Sequence, residues 1–182
     1  MTRAAAIVAM LLSLHPSLPR QQAQRYAAII DSEGQKQGIQ AATAIALVEH
    51  ESYWRARAES ADSEDIGLGQ IRARYVGACR TDPEPVSNPG RECLRVRESL
   101  RDGEHNLRMT IRTLGRWART CRAKTGRWDA RAVISGYAGL NRPSRQQWCG
   151  RVYRRGRWVA LPLHPGVAEV LRLRARLLRR SR

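Results

Sequence analysis

Along most of the chain apolar residues return every three or four positions and two-residue alternation is almost missing, a pattern that predicts an all-α protein. After Pro19, which suits a first helical turn, Tyr26, Ala27, Ile29 and Ile30 form the inward stripe of a helix that ends within Gly34 to Gly38. A second helix over about Gln40 to Ser52 sets Ala44, Leu47, Val48 and Glu51 on one stripe, which turns Glu51 to the core side and Glu49 to solvent. Beyond a polar loop the pattern predicts a short helix from about Leu68 to Val76, then a Pro- and Gly-rich loop between Cys79 and Cys93. Leu100, Leu107, Ile111 and Leu114 mark a long helix that stops before Gly126, and a helix around Ala130 to Tyr137 is broken by Gly139 and Pro143. Between Trp148 and Pro165 neither period is clear, and "YRRGRWVAL" reads as a short hairpin. From Val167 a closing helix presents Val170, Leu171, Leu177 and Leu178 near one face and Arg on the rest.

A length of 182 residues suits a single domain. Lys and Arg number 33 against 16 Asp and Glu, a net charge of +17, and the only lysines are Lys36 and Lys124. So large a charge draws a protein to polyanions: nucleic acid, an anionic membrane surface, or an acidic polymer such as a cell wall. The basic residues are scattered and become dense only in "LRLRARLLRRSR", so a solvated Arg-rich surface accounts for most of them. Arg3 and the apolar run from Ala4 to Leu14 have the length of a signal-peptide core and are too short to span a bilayer. No clean small-x-small cleavage site follows, and His15 to Pro19 could equally lead into the first helix. The division is therefore a leader over residues 1–17, a catalytic-type domain over 18–160 and an Arg-rich terminal helix over 161–182.

Four cysteines occur without a CxxC pair or a His at metal-ligand spacing, which argues against zinc. Proximity along the chain favours disulfides Cys79–Cys93 and Cys121–Cys149 among the three pairings that four cysteines allow; four reduced thiols are the alternative. Disulfides and a leader support each other, and together they predict an exported chain, periplasmic or extracellular.

A carboxyl on an apolar stripe at a helix end is costly to ionise and can stay protonated near neutrality, as the general acid of glycosidic cleavage must. Glu51 is such a group. The order of the residues around it, Glu51-Ser52, then Ala58-Glu59-Ser60, then "GLGQI" from Gly67 to Ile71, resembles the soluble lytic transglycosylase (SLT) domain of the lysozyme-like superfamily. "SLRDGEHNL", with Gly103 and Leu107 at the matching positions, and "SGYAGLN", with Tyr137 in the Tyr place of a Tyr-Asn-x-Gly motif, extend the resemblance over about Leu18 to Asn141. The Asn expected after Tyr137 is replaced by Ala138, and Asn141 is the nearest substitute.

The resemblance implies a lysozyme-like helical lobe whose cleft takes a peptidoglycan strand, with no metal or cofactor. It implies that Glu51 protonates the bond between N-acetylmuramic acid and N-acetylglucosamine and then, as base, takes the proton of the sugar's own 6-hydroxyl, which closes a 1,6-anhydro ring. Ser60, Gln70 and Tyr137 would bind or orient, with turn bonds at Ser60 and Gln70 and core packing of Tyr137 as the structural alternatives. "SEDIGLGQI" is also similar to the animal lysozyme stretch that holds the second catalytic carboxylate, here Asp65, and a retaining hydrolysis by Glu51 and Asp65 is the runner-up. Glu59, Asp62 and Glu64 read as solvated loop charges. A non-catalytic basic binding protein for cell wall or nucleic acid is the third reading; no helix-turn-helix signature supports it. The preferred partner is peptidoglycan rather than nucleic acid, bound by a monomer.

Overall fold

The computed structural model describes residues 2–180; Met1, Ser181 and Arg182, the extremes of the expected leader and terminal helix, lie outside the described residues. Seven helices and two small sheets follow one another as α1 Arg3–Leu14, α2 Arg20–Gln37, α3 Ala41–Ser52, β1 Asp65–Ile66, β2 Ile71–Arg72, α4 Arg91–Leu100, α5 Gly103–Thr125, α6 Ala130–Tyr137, β3 Gln147–Trp148, β4 Arg151–Arg154, β5 Arg157–Ala160 and α7 Pro165–Arg180. The fold is mostly helical, as the three- and four-residue spacing predicts.

At the centre stands α3, in which every residue from Ala42 to Val48 is buried. A helix apolar all round must be enclosed. Helices α1, α2, α5 and α7 pack around it. This enclosure corrects the expectation for Glu49. Glu49 is half-buried: its Oε2 is buried without a hydrogen bond, and burial pushes its carboxyl up against the opposing influences of His15 and the neighbouring Trp54 indole N–H.

Helix starts and stops follow side-chain chemistry. Asp102 accepts the His105 N–H at 2.7 Å to open α5, and Asp129 accepts the Ala132 N–H at 2.6 Å to open α6. Asp102 also explains why the expected single helix through Leu100 and Leu114 is two: its extended backbone and capping carboxylate end the run that Leu100 belongs to and begin another. The short helix expected over Leu68 to Val76 is also corrected. Gly67 to Gln70 make a turn, Ile66 pairs with Ile71 and Asp65 with Arg72, and only Ala73–Tyr75 and Gly77–Arg80 coil, as 3₁₀ turns.

The hairpin read in "YRRGRWVAL" is present as β4 and β5, joined by Arg155 and Gly156, both at positive φ as a two-residue type I′ turn needs. The short strand β3 adds to it, giving the order β3-β4-β5. Both expected disulfides are formed, Cys79–Cys93 with Cα atoms 4.5 Å apart and Cys121–Cys149 with Cα atoms 5.7 Å apart.

The two ends of the chain both pack on the core. Helix α1 buries Ile7 and Leu11, and Arg3 meets Asp31 of α2 at 2.7 Å. Helix α7 buries Val167, Val170 and Leu177 against α3 and α6, His50 Nδ1 lies 3.2 Å from Glu169, and Arg174 donates to Thr43 at 2.9 Å. Among the described residues no helix is long and apolar enough to cross a membrane.

Candidate active site

Glu51 lies in the last turn of α3, where the helix leaves the core. Tyr53 and Trp54 both take positive φ, 52° and 60°, so the chain swings away directly after Ser52. Ser52, fully buried, returns its hydroxyl to the Val48 carbonyl at 3.3 Å, and Arg55 Nε donates to the Ser52 carbonyl at 3.0 Å. With the backbone thus closed, the Glu51 side chain meets a cleft of about 690 Å³ between β1–β2, α5 and α6. Its carboxyl makes no hydrogen bond among the described residues. Burial first, and the charge of Asp65 second, push it up to about 7.

The opposite lip is the Gly67-Leu68-Gly69-Gln70 turn, held by a single buried side chain on α5. Asn106 donates through Nδ2 to the Ile66 and Leu100 carbonyls, both at 2.8 Å, and through Oδ1 accepts the Gly69 N–H at 2.9 Å. Thr110, one helical turn on, donates to the Asn106 carbonyl at 2.9 Å. The turn lies so close to α5 that a Cβ on Gly67 would strike Asn106 and the Leu100 carbonyl, and one on Gly69 would strike Thr110. Leu68, between them, is buried in the main core.

The expected site residues divide into two groups. Glu51, Asp65, Gln70 and Tyr137 all line the cleft. The Tyr137 hydroxyl donates to the Gly69 carbonyl at 2.5 Å, so its bond goes to the turn rather than to Glu51, and burial raises its pKa. Gln70, at a φ of 48°, donates through Nε2 to the Gly67 carbonyl at 3.0 Å and the Ala58 carbonyl at 3.3 Å, which leaves its carbonyl oxygen unused by these bonds. Ser60 does not reach the cleft wall. Its hydroxyl donates to Asp62 at 2.5 Å and accepts the Asp65 N–H at 2.9 Å, the turn bonding that orders the strand carrying Asp65.

Asp65 accepts two bonds from Arg72, at 3.1 and 3.2 Å. The neighbouring acids are more engaged than the expected solvated charges. Glu64 is largely buried against Arg72 and Arg74, and Glu59 pairs with Arg97 at 2.7 Å and Arg101 at 3.1 Å. Arg97, itself buried, also donates to the Ser63 carbonyl at 2.8 Å and the Pro85 carbonyl at 3.2 Å, so one guanidinium ties the loop before β1 to the loop before α4. Asp62 is exposed and bonds only within its own turn, accepting from Ser60 and from the Glu64 N–H. Asn141 is occupied within its own loop, accepting the Cys149 N–H at 2.9 Å and donating to the Gly136 carbonyl at 3.1 Å. In place of the missing Asn, Ala138 and Gly139 border the cleft.

Several wall residues were not singled out from sequence: Tyr75, Met109, Arg80, Arg116 and Trp117. Arg80 and Arg116 have no acidic partner among the described residues, so they add unpaired positive charge to a cleft that also holds Glu51 and the Arg72-bonded Asp65. Asn106 was missed as well, although a signal existed: Asn106 and Thr110, four apart, put polar groups on the buried side of a helix beside Leu107, Ile111 and Leu114.

Residues 28–159 match the sequence model of the transglycosylase SLT domain. No curated protein and no solved structure gives a significant match.

Proposed function

The chain belongs to the transglycosylase SLT family, and from that membership we propose that it is a lytic transglycosylase, cleaving the bond between N-acetylmuramic acid and N-acetylglucosamine and leaving 1,6-anhydro ends. The observation that carries this reading is the state of Glu51: a cleft-lining carboxyl without a hydrogen bond, held up to about 7 by burial and by Asp65. Such a group is protonated often enough at neutral pH to give its proton to the leaving alkoxide, and basic enough afterwards to take one back. In the second half of the reaction the proton comes from the sugar's 6-hydroxyl, whose oxygen closes on C1, so no water and no second carboxylate enters.

The surroundings support this division of roles. Tyr137 and Asn106 pin the Gly67–Gln70 turn to α6 and α5, and Gln70 has an acceptor oxygen to offer a sugar N–H or hydroxyl. Arg80 and Arg116 give the cleft a charge suited to the stem-peptide carboxylates of peptidoglycan. The two disulfides suit an oxidising, exported compartment, where that polymer lies.

The second reading, hydrolysis through Glu51 and Asp65, draws on the presence of Asp65 in the same cleft. Its paired bonds to Arg72 disfavour it as a nucleophile, because a carboxylate neutralised by a guanidinium attacks poorly. Mass spectrometry of fragments released from purified sacculi separates the two. We expect anhydro ends from the wild type and from Asp65→Asn, and a loss of lysis by at least about a hundredfold in Glu51→Gln. Reducing ends, together with an inactive Asp65→Asn, would replace transglycosylation by hydrolysis, and full activity of Glu51→Gln would end both.

A further inference from the structure

Strand alternation gathers three aromatic side chains on one face of the small sheet. Trp148 pairs with Arg151, and Tyr153 pairs with Trp158; positions 151 and 153 share a face, so Trp148, Tyr153 and Trp158 do too. These rings, with Lys124, Pro143 and Gln146, enclose a shallow depression of about 270 Å³ separate from the Glu51 cleft. Tyr153 is 43% exposed, and neither it nor Trp158 joins a hydrophobic cluster of the core. The two rings stand 5.4 Å apart at 59°, forming a notch rather than a flat stack. Lys124 Nζ lies 5.2 Å from the centroid of Trp148, which holds a cation at one edge of the notch.

We propose that this face is a second glycan-binding site, which takes a peptidoglycan strand outside the catalytic cleft. The inference rests on the cell-wall reading above for the identity of its ligand. The chemistry fits on three counts. Ring faces receive the C–H face of a pyranose, and a partly exposed Tyr-Trp pair keeps that surface at little entropic cost. Gln146 supplies a donor and acceptor for an acetamido group. Lys124 supplies a charge for a lactyl or stem-peptide carboxylate. The loop after α6 connects the two sites: Ala138 and Gly139 border the cleft, and Pro143 and Gln146 border the depression. The Cys121–Cys149 disulfide fixes Trp148 beside it to α5, and that bond belongs to oxidising compartments, where wall glycan rather than nucleic acid is at hand.

The test is cosedimentation of the full chain with purified sacculi, made in the Glu51→Gln protein so that no lysis intervenes. Tyr153→Ala combined with Trp158→Ala should weaken binding by about tenfold or more, whereas Tyr153→Phe and Trp158→Phe, which keep a ring, should retain it. Thermal melting checks that the double variant is folded; if it is not, Lys124→Glu, on the rim, should give a severalfold loss instead. Undiminished sacculus binding by a folded double variant overturns the proposal. So does tighter binding of a single-stranded oligodeoxythymidine through the same residues, which would make the face a nucleic-acid platform. A wild-type chain that binds sacculi through these rings yet never lyses them would refute the transglycosylase reading and leave this site standing.

Discussion

Glu51 carries a cost that the rest of the fold sustains. The folded chain protonates it near pH 7, whereas the ordinary value is 4.5. Between these values the folded state holds a proton that the unfolded state has released, so stability falls as pH rises from about 4.5 to about 7 and stays lowered above. Glu51→Gln removes the titration. We expect its melting temperature to meet that of the wild type at low pH and to exceed it by several degrees at pH 8, a gain of about 3 kcal/mol at most, read by calorimetry across pH. A variant that melts lower than the wild type at pH 8 would contradict the burial argument. Glu51 was legible in the sequence because helical spacing and motif order agree on it. Glu49, two positions back, is partly buried where the spacing predicts solvent, because periodicity describes one helix at a time and neighbouring helices cover most of α3.

Among the elements, the turn between β1 and β2 depends on a partner distant in the chain. Its backbone groups bond to Asn106 on α5, far along the sequence from Ile66 and Gly69. Asn106→Ala would leave the Gly69 N–H and two carbonyls buried without partners, at about 1–3 kcal/mol for each group left unmet. The expected outcome is a clear drop in melting temperature and a loss of lysis even where the variant remains folded, since the turn carries Gln70 and receives Tyr137. Normal lysis by Asn106→Ala would show that the turn holds itself. The helices α2, α3 and α6 could be read nearly to their ends, because long apolar stripes fix them. Strands of two residues have no period to read, and the 3₁₀ turns near Tyr75 are too short for their spacing to be told from that of an α-helix. The break at Asp102 was visible only as a capping residue inside an otherwise continuous stripe.

At the scale of the whole molecule, the two disulfides tie the less regular segments to the helical body. Cys79–Cys93 spans 14 residues beside the cleft, and Cys121–Cys149 spans 28 and secures the sheet to α5. Replacing Cys121 and Cys149 by Ser should lower stability by about 3–4 kcal/mol on the chain-entropy account. Because Cys149 adjoins Trp148, the same change should weaken sacculus binding more than a Cys79/Cys93 replacement does; equal binding by the two variants would separate the bond from the aromatic face. The pairing was legible from proximity in the sequence. The packing of both chain ends around α3 was not, since contact between distant helices leaves no local trace.

One long helix spans these regions. Asn106 near the start of α5 secures the cleft lip, Arg116 and Trp117 form the cleft wall, and Lys124 near its end reaches the aromatic notch. At 1.5 Å per residue, Asn106 and Lys124 lie about 27 Å apart along the axis. Such a rod works as a ruler. If the aromatic face takes glycan as proposed above, the rod sets a least length of sugar chain that could touch both ends at once, and fragments shorter than it should bind more weakly to the Glu51→Gln protein than intact strands do.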